Sequence, residues 1–143
     1  MDRITFSNML TEARISSGVS LKDLVFGIQV MPISIYRMEK GKHSFAVEKC
    51  LPYLDYIGYS IKLSKGESVL FVHDNADLIT WETQIRGAIS QRAFSKSIGY
   101  NNSRIFYIET GKDVMSIDMM LKIAEVYGYT VEIVPNNQND TQL

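Results

Sequence analysis

The chain has 143 residues, 45% hydrophobic and 22% charged, ordinary values for a globular protein with room for one domain or two very small ones. A formal net charge of −1 and a pI near 6.1 give no global attraction to nucleic acid. The single cysteine, Cys50, excludes an intrachain disulfide framework, and no run approaches the ~18 apolar residues of a membrane helix. The opening MDRITFSNML lacks the build of a signal peptide, so the expected setting is the cytoplasm, with no membrane partner.

In chain order, Phe6, Met9, Leu10 and Ala13 recur at helical spacing and predict a first helix. Ser20 is placed to cap a short second one. Met31-Pro32 opens a third, since proline is tolerated where the N–H would have no partner; Ile35 and Met38 form its apolar stripe and Gly41 closes it. Val47, Cys50, Leu51 and Leu54 predict a fourth. The period then drops to two in YSIKLS. KGE is a turn signal and SVLFV a second strand, so Tyr59–Ser64 and Ser68–Val72 are expected to form a hairpin. The order starts again with Ser90 as a cap, Gly99 at a left-handed stop, and Asn101 capping a helix through Glu109. Ile105 and Ile108 are its stripe and Gly111 its end; Ser116 caps a last helix with Ile117, Met120, Leu121 and Ala124. YTVEIV offers a third strand, Tyr129–Val134, and the polar NNQNDTQL reads as a disordered tail.

This order repeats because the sequence does. SIYRMEKGKHSF and RIFYIETGKDVM share Ile-x-x-x-Glu-x-Gly-Lys, at Ile35, Glu39, Gly41, Lys42 and at Ile105, Glu109, Gly111, Lys112. An offset of 70 aligns 12–63 with 82–133 without gaps, with identities from Glu12/Glu82 and Ile15/Ile85 to Gly58/Gly128 and Tyr59/Tyr129. A shared apolar pattern in one register points to an internal duplication. The expected domains are a first unit at 1–64, a linking turn and strand at 65–73, a second unit at 74–134 and the tail at 135–143.

Each copy resembles the helix-turn-helix domain of the Cro and lambda-repressor-like (xenobiotic-response-element) family. The resemblance rests on Arg14, Ser20, Leu24, Val30, Ile35, Glu39, Gly41, Lys42 and Gly58 in the first copy, and on Ser90, Gln91, Phe94, Gly99, Ile105, Glu109, Gly111, Lys112 and Gly128 in the second. It implies a mainly α fold with a small antiparallel β element, built as two tandem units that each end in a strand. It also implies double-stranded DNA as partner and transcriptional regulation as the role. In such a unit the second helix of the pair lies in the major groove while the first crosses the backbone. The family pairs the repeated Glu with an Arg of the first helix. Arg14 serves Glu39, whereas the gap-free register offers Glu109 only Gln84, and so a weaker neutral bond.

The base-facing positions differ between copies. The second offers Asn102, Ser103, Phe106 and Tyr107, with Arg104 beside them; Asn suits adenine and Arg suits guanine or phosphate. Gln91, Arg92, Asn101 and Lys112 complete its candidate DNA set. The first offers Pro32, Ile33 and Tyr36, leaving Ser34, Arg37 and Lys42 as its polar candidates. The second copy is therefore expected to be the main reader. Local charge agrees: Arg14, Lys22, Arg37, Lys40 and Lys42 stand against Asp23 and Glu39, and Arg86, Arg92, Lys96, Arg104 and Lys112 against Glu109 alone.

Other chemistry is poorly supplied. One cysteine and two histidines, His43 and His73, give no zinc spacing; Cys50 lies on an apolar stripe, and no phosphate-binding glycine loop occurs. No enzyme activity, metal or cofactor is expected. The rival reading is an interaction module. In it Met31, Pro32, Ile33 and Tyr36 form an apolar patch for a toxin-like or other protein partner, or the strands join two chains as a homodimer.

Overall fold

The computed structural model describes residues 1–136. Their order is α1 (Arg3–Ser17), α2 (Leu21–Ile28), α3 (Pro32–Lys40), α4 (Val47–Ile57), β1 (Tyr59–Lys65), β2 (Ser68–Val72), α5 (Asn75–Arg86), α6 (Gln91–Ser97), α7 (Arg104–Glu109), α8 (Ile117–Tyr127) and β3 (Thr130–Pro135). The fold is mainly helical with one small antiparallel sheet, as expected. Ser20, Ser90 and Ser116 cap their helices through side-chain oxygens, each accepting the N–H three residues on. Pro32 stands at the start of α3.

The sheet order is β2-β1-β3, antiparallel throughout. Gly66, at φ +59, takes the positive φ that a two-residue hairpin loop between β1 and β2 requires. Ile61, Leu63, Val72, Val131 and Ile133 share the sheet face that turns to the core, joined by Phe6, Leu24, Tyr53, Phe94 and Ile105 from both helical halves. Trp81 meets Tyr129 edge to face with ring centroids 5.4 Å apart.

The contacts between halves follow a two-fold pattern. β1 and β3 pair with Lys62 opposite Glu132, Ile61 opposite Ile133 and Leu63 opposite Val131. Shifting one strand's numbers by seventy and exchanging strands carries the Ile61–Ile133 pair onto Leu63–Val131. The second joint obeys the same rule: Val47 N–H donates to the Met115 carbonyl at 2.9 Å, and Ile117 N–H donates to the Phe45 carbonyl at 2.8 Å, around the bridge Ala46–Ser116. Such reciprocity is the mark of an isologous interface. Arg3 breaks it, reaching Asp118 at 2.5 Å and the Gly41 carbonyl at 2.9 Å.

Two expectations need correction here. The seventy-residue register does not reach back through the first helix. Asp2 and Asp74 cap α1 and α5, so those helices correspond at an offset of 72, and two residues are missing between Arg86 and Ser90 relative to Arg14 and Ser20. Accordingly Glu12 is exposed while Glu82, paired with it by sequence, is fully buried. At the other end, Pro135 belongs to β3 and Asn136 N–H donates to the Gly58 carbonyl at 2.8 Å, so the ordered chain runs past 134. The remainder of the expected tail, 137–143, lies outside the described residues.

Candidate nucleic-acid interface

In the second half, α6 and α7 are held at a fixed angle by polar contacts that the apolar pattern could not reveal. Ser95, buried on α6, accepts the Ile105 N–H at 3.0 Å, satisfying a donor that the first turn of α7 leaves free. Asn101 Oδ1 accepts the Ser103 N–H at 3.1 Å and its hydroxyl at 2.9 Å. Asn101 was expected to cap the helix directly; instead it caps a tight turn, and regular helix starts at Arg104. Its Oδ1 is engaged in this turn, and the residue is exposed. Ser95 was not singled out because a lone Ser inside a short helix carries no motif; the first half has Val25 at the same place.

Beneath α7 lies a carboxylate lock. Arg86 donates to both oxygens of Glu109, at 2.8 and 2.9 Å, and to the Ile89 carbonyl at 2.8 Å. Gln91 adds a bond to Glu109 at 2.9 Å. Gln84, the expected partner, is exposed and plays no part, because the shifted register of α5 brings Arg86 round instead. The lock is therefore not the neutral, weaker one that was anticipated. The first half has Arg14 on Glu39 at 2.8 and 3.3 Å, with the Tyr53 hydroxyl 2.5 Å from Glu39. In the second half a buried carboxyl, Glu82, takes the place of the Tyr53 hydroxyl beside the lock. Burial first, and then Glu109, push its pKa up to about 8. Burial opposes ionisation of Glu109 too, but Arg86, Glu82 and Gln91 hold that carboxyl below its ordinary range.

What remains outside is a polar and aromatic face. Asn102 and Ser103 are exposed before α7, and Phe106 and Tyr107 are 45% and 40% exposed on it. Arg92, Lys96 and Lys112 are exposed around them, with the Lys112 ammonium 5.8 Å from the Tyr107 ring centre. Arg104 is half-buried and ion-paired with Asp113, and Gln91 faces the lock, so neither is the free side chain the sequence implied. Of the five cations counted there by sequence, Arg86 and Arg104 are ion-paired, and the other three have no carboxylate partner among the described residues.

Residues 86–134 match the Helix-turn-helix family model. The matched stretch runs from the lock arginine through α6, α7 and α8 to β3, the elements just described. Comparison with curated proteins and with solved structures found no match. In the matched stretch α6 and α7 are consecutive short helices, with residues 98–103 between them. No helix among the described residues is long and apolar enough to cross a membrane, and no group of side chains among them is suited to hold a metal ion.

The corresponding face of the first half is different in kind. Phe26 is 86% exposed, Met31 68%, Ile33 49% and Tyr36 51%. Leu21, Val25, Phe26, Pro32 and Tyr36 line an apolar groove between α2 and α3. Ser34, Arg37 and Lys42 are exposed, and the Lys42 carbonyl accepts a bond from Arg3 at 3.1 Å.

Proposed function

We propose that this chain binds double-stranded DNA in a sequence-specific manner and acts as a transcriptional regulator, with 74–134 as its main reading unit and 1–64 as a related, weaker one. The observation that carries this reading is the exposed start of α7, with Asn102 and Ser103 outermost, inside the stretch that matches a helix-turn-helix. In that arrangement the second helix enters the major groove, where an Asn can bond an adenine edge bidentately and hydroxyls adapt to either strand. Arg92, Lys96 and Lys112 flank it and would neutralise phosphates. Arg104, held by Asp113, positions the turn more than it reads bases. No catalytic role is assigned to any residue.

The reciprocal joints support a pseudo-dimer: a single chain would supply both halves that a symmetric repressor assembles from two. Unequal faces then call for an asymmetric site. The test is selection of duplexes from a random pool, followed by mobility-shift titration of the enriched motif. Asn102→Ala with Ser103→Ala should weaken binding roughly tenfold or more, the cost of one good bidentate contact, whereas Ile33→Ala should cost far less. Affinity should fall steeply with salt as phosphate contacts release counterions. A second reading, protein docking on the first half, is favoured by the exposed Phe26, Met31 and Tyr36. It predicts no enriched motif and a flat salt response.

A further inference from the structure

We propose that the first half carries a binding site for a small organic anion with an apolar body, in the cavity between α3, the loop after it and α4. The cavity measures about 560 Å³, within the range of small-molecule sites. Arg37, His43 and Lys49 line it, with the hydroxyls of Ser34 and Ser44, and no carboxylate does. Among the described residues none of these three basic side chains is ion-paired. Basic groups gathered around one concavity without a counter-charge favour an anionic occupant, and a partly enclosed, low-dielectric wall strengthens that attraction. Met38 and Phe45 give the same cavity an apolar floor, so the anion that fits carries a flat or branched hydrocarbon body beside its carboxylate or phosphate.

The second half supplies an internal comparison. At the positions of Ser34 and His43 it has Arg104 and Asp113, and those two pair with each other. At the position of Lys49 it has Met119, fully buried, and at that of Arg37 it has Tyr107. Equivalent positions thus hold an internal ion pair in one half and basic groups without a counter-charge among the described residues in the other. This inference does not depend on the DNA reading.

The test uses the full chain and isothermal titration with 1-naphthyl phosphate, 1-naphthoate, neutral 1-naphthamide and inorganic phosphate. Saturable binding of the two naphthyl anions is expected, with the amide and inorganic phosphate each much weaker. Lys49→Met, and separately the pair Ser34→Arg with His43→Asp, copy residues that the second half already folds with. Each should weaken naphthyl phosphate roughly tenfold or more, the effect of losing a charge-assisted bond. Circular dichroism melts identify any variant that has lost its fold; Lys49→Gln, which stays polar without the charge, then replaces it. The proposal is overturned if neither naphthyl anion binds, or if the variants bind as the parent does. It is also overturned if Lys49→Met lowers affinity only for a duplex, which would assign these cations to the DNA backbone.

Discussion

Gln29 and Gly99 hold the same place in the two halves, at the end of the first helix of each helix pair, and both take the left-handed conformation, with φ +55 and +80. Gln29 is the only non-glycine residue there among the described residues. A side chain in that region costs roughly 1–2 kcal/mol, while glycine loses about 0.5–1 kcal/mol more backbone freedom on folding. Gln29→Gly should therefore stabilise the protein by a few tenths to about 1 kcal/mol, and Gly99→Ala should destabilise it by about as much. Urea unfolding midpoints at constant slope measure both; a lower midpoint for Gln29→Gly would mean that its side chain makes a contact worth more than the strain. Gly99 was legible in the sequence because glycine at a helix end has one strong reading. Its partner was not, because nothing about glutamine announces a positive φ.

Elements were legible where a periodic apolar pattern and a capping residue coincided. Ser20, Ser90 and Ser116 fixed three helix starts, and the alternation in YSIKLS and YTVEIV fixed two strands. The failure came at α5, whose correspondence to α1 slips by two residues. Chance identities at Glu82 and Ile85 hid that slip and steered Glu109 to the wrong partner. The true correspondence sets Glu82 against Leu10, both fully buried, and α8 then offers Ile123 where α4 has Tyr53. The second half thus trades a leucine and a tyrosine for a carboxyl and an isoleucine, and its lock becomes pH-sensitive. Glu82 keeps its proton in the folded chain up to about pH 8, whereas an exposed carboxyl loses it near 4.5. Between those values the folded state holds more protons than the unfolded one, so this group's contribution to stability declines as pH rises through that window. Glu82→Leu should flatten the decline and melt higher than the parent at pH 8. Parallel melting profiles from about pH 5 to pH 8 would show that Glu82 is already ionised in the fold.

At the scale of the whole molecule the reciprocal joints matter most. An ordinary repressor of this architecture gains its second half-site contact by dimerising, so its apparent affinity falls when the protein is dilute. Here the two halves share one core, through β1–β3 and through the Ala46–Ser116 bridge, so in the proposed complex their separation would be set before DNA is met. In that complex no entropy of bringing two chains together would be lost on binding. The proposed duplex complex should then contain one chain. Stoichiometric titration of a long duplex carrying the selected motif should saturate at one protein per site, with a simple hyperbolic curve at lower concentrations. The two half-sites should be unequal: base changes under the second unit should cost about 1–3 kcal/mol each, and changes under the first much less, since Pro32 and Ile33 offer no side-chain hydrogen bonds. Sedimentation of the complex separates this from the alternative. Two chains per duplex, with a sigmoid titration, would mean that the edge of β2 or the apolar groove of the first half joins a second molecule, and that the internal two-fold axis is not the one the DNA meets.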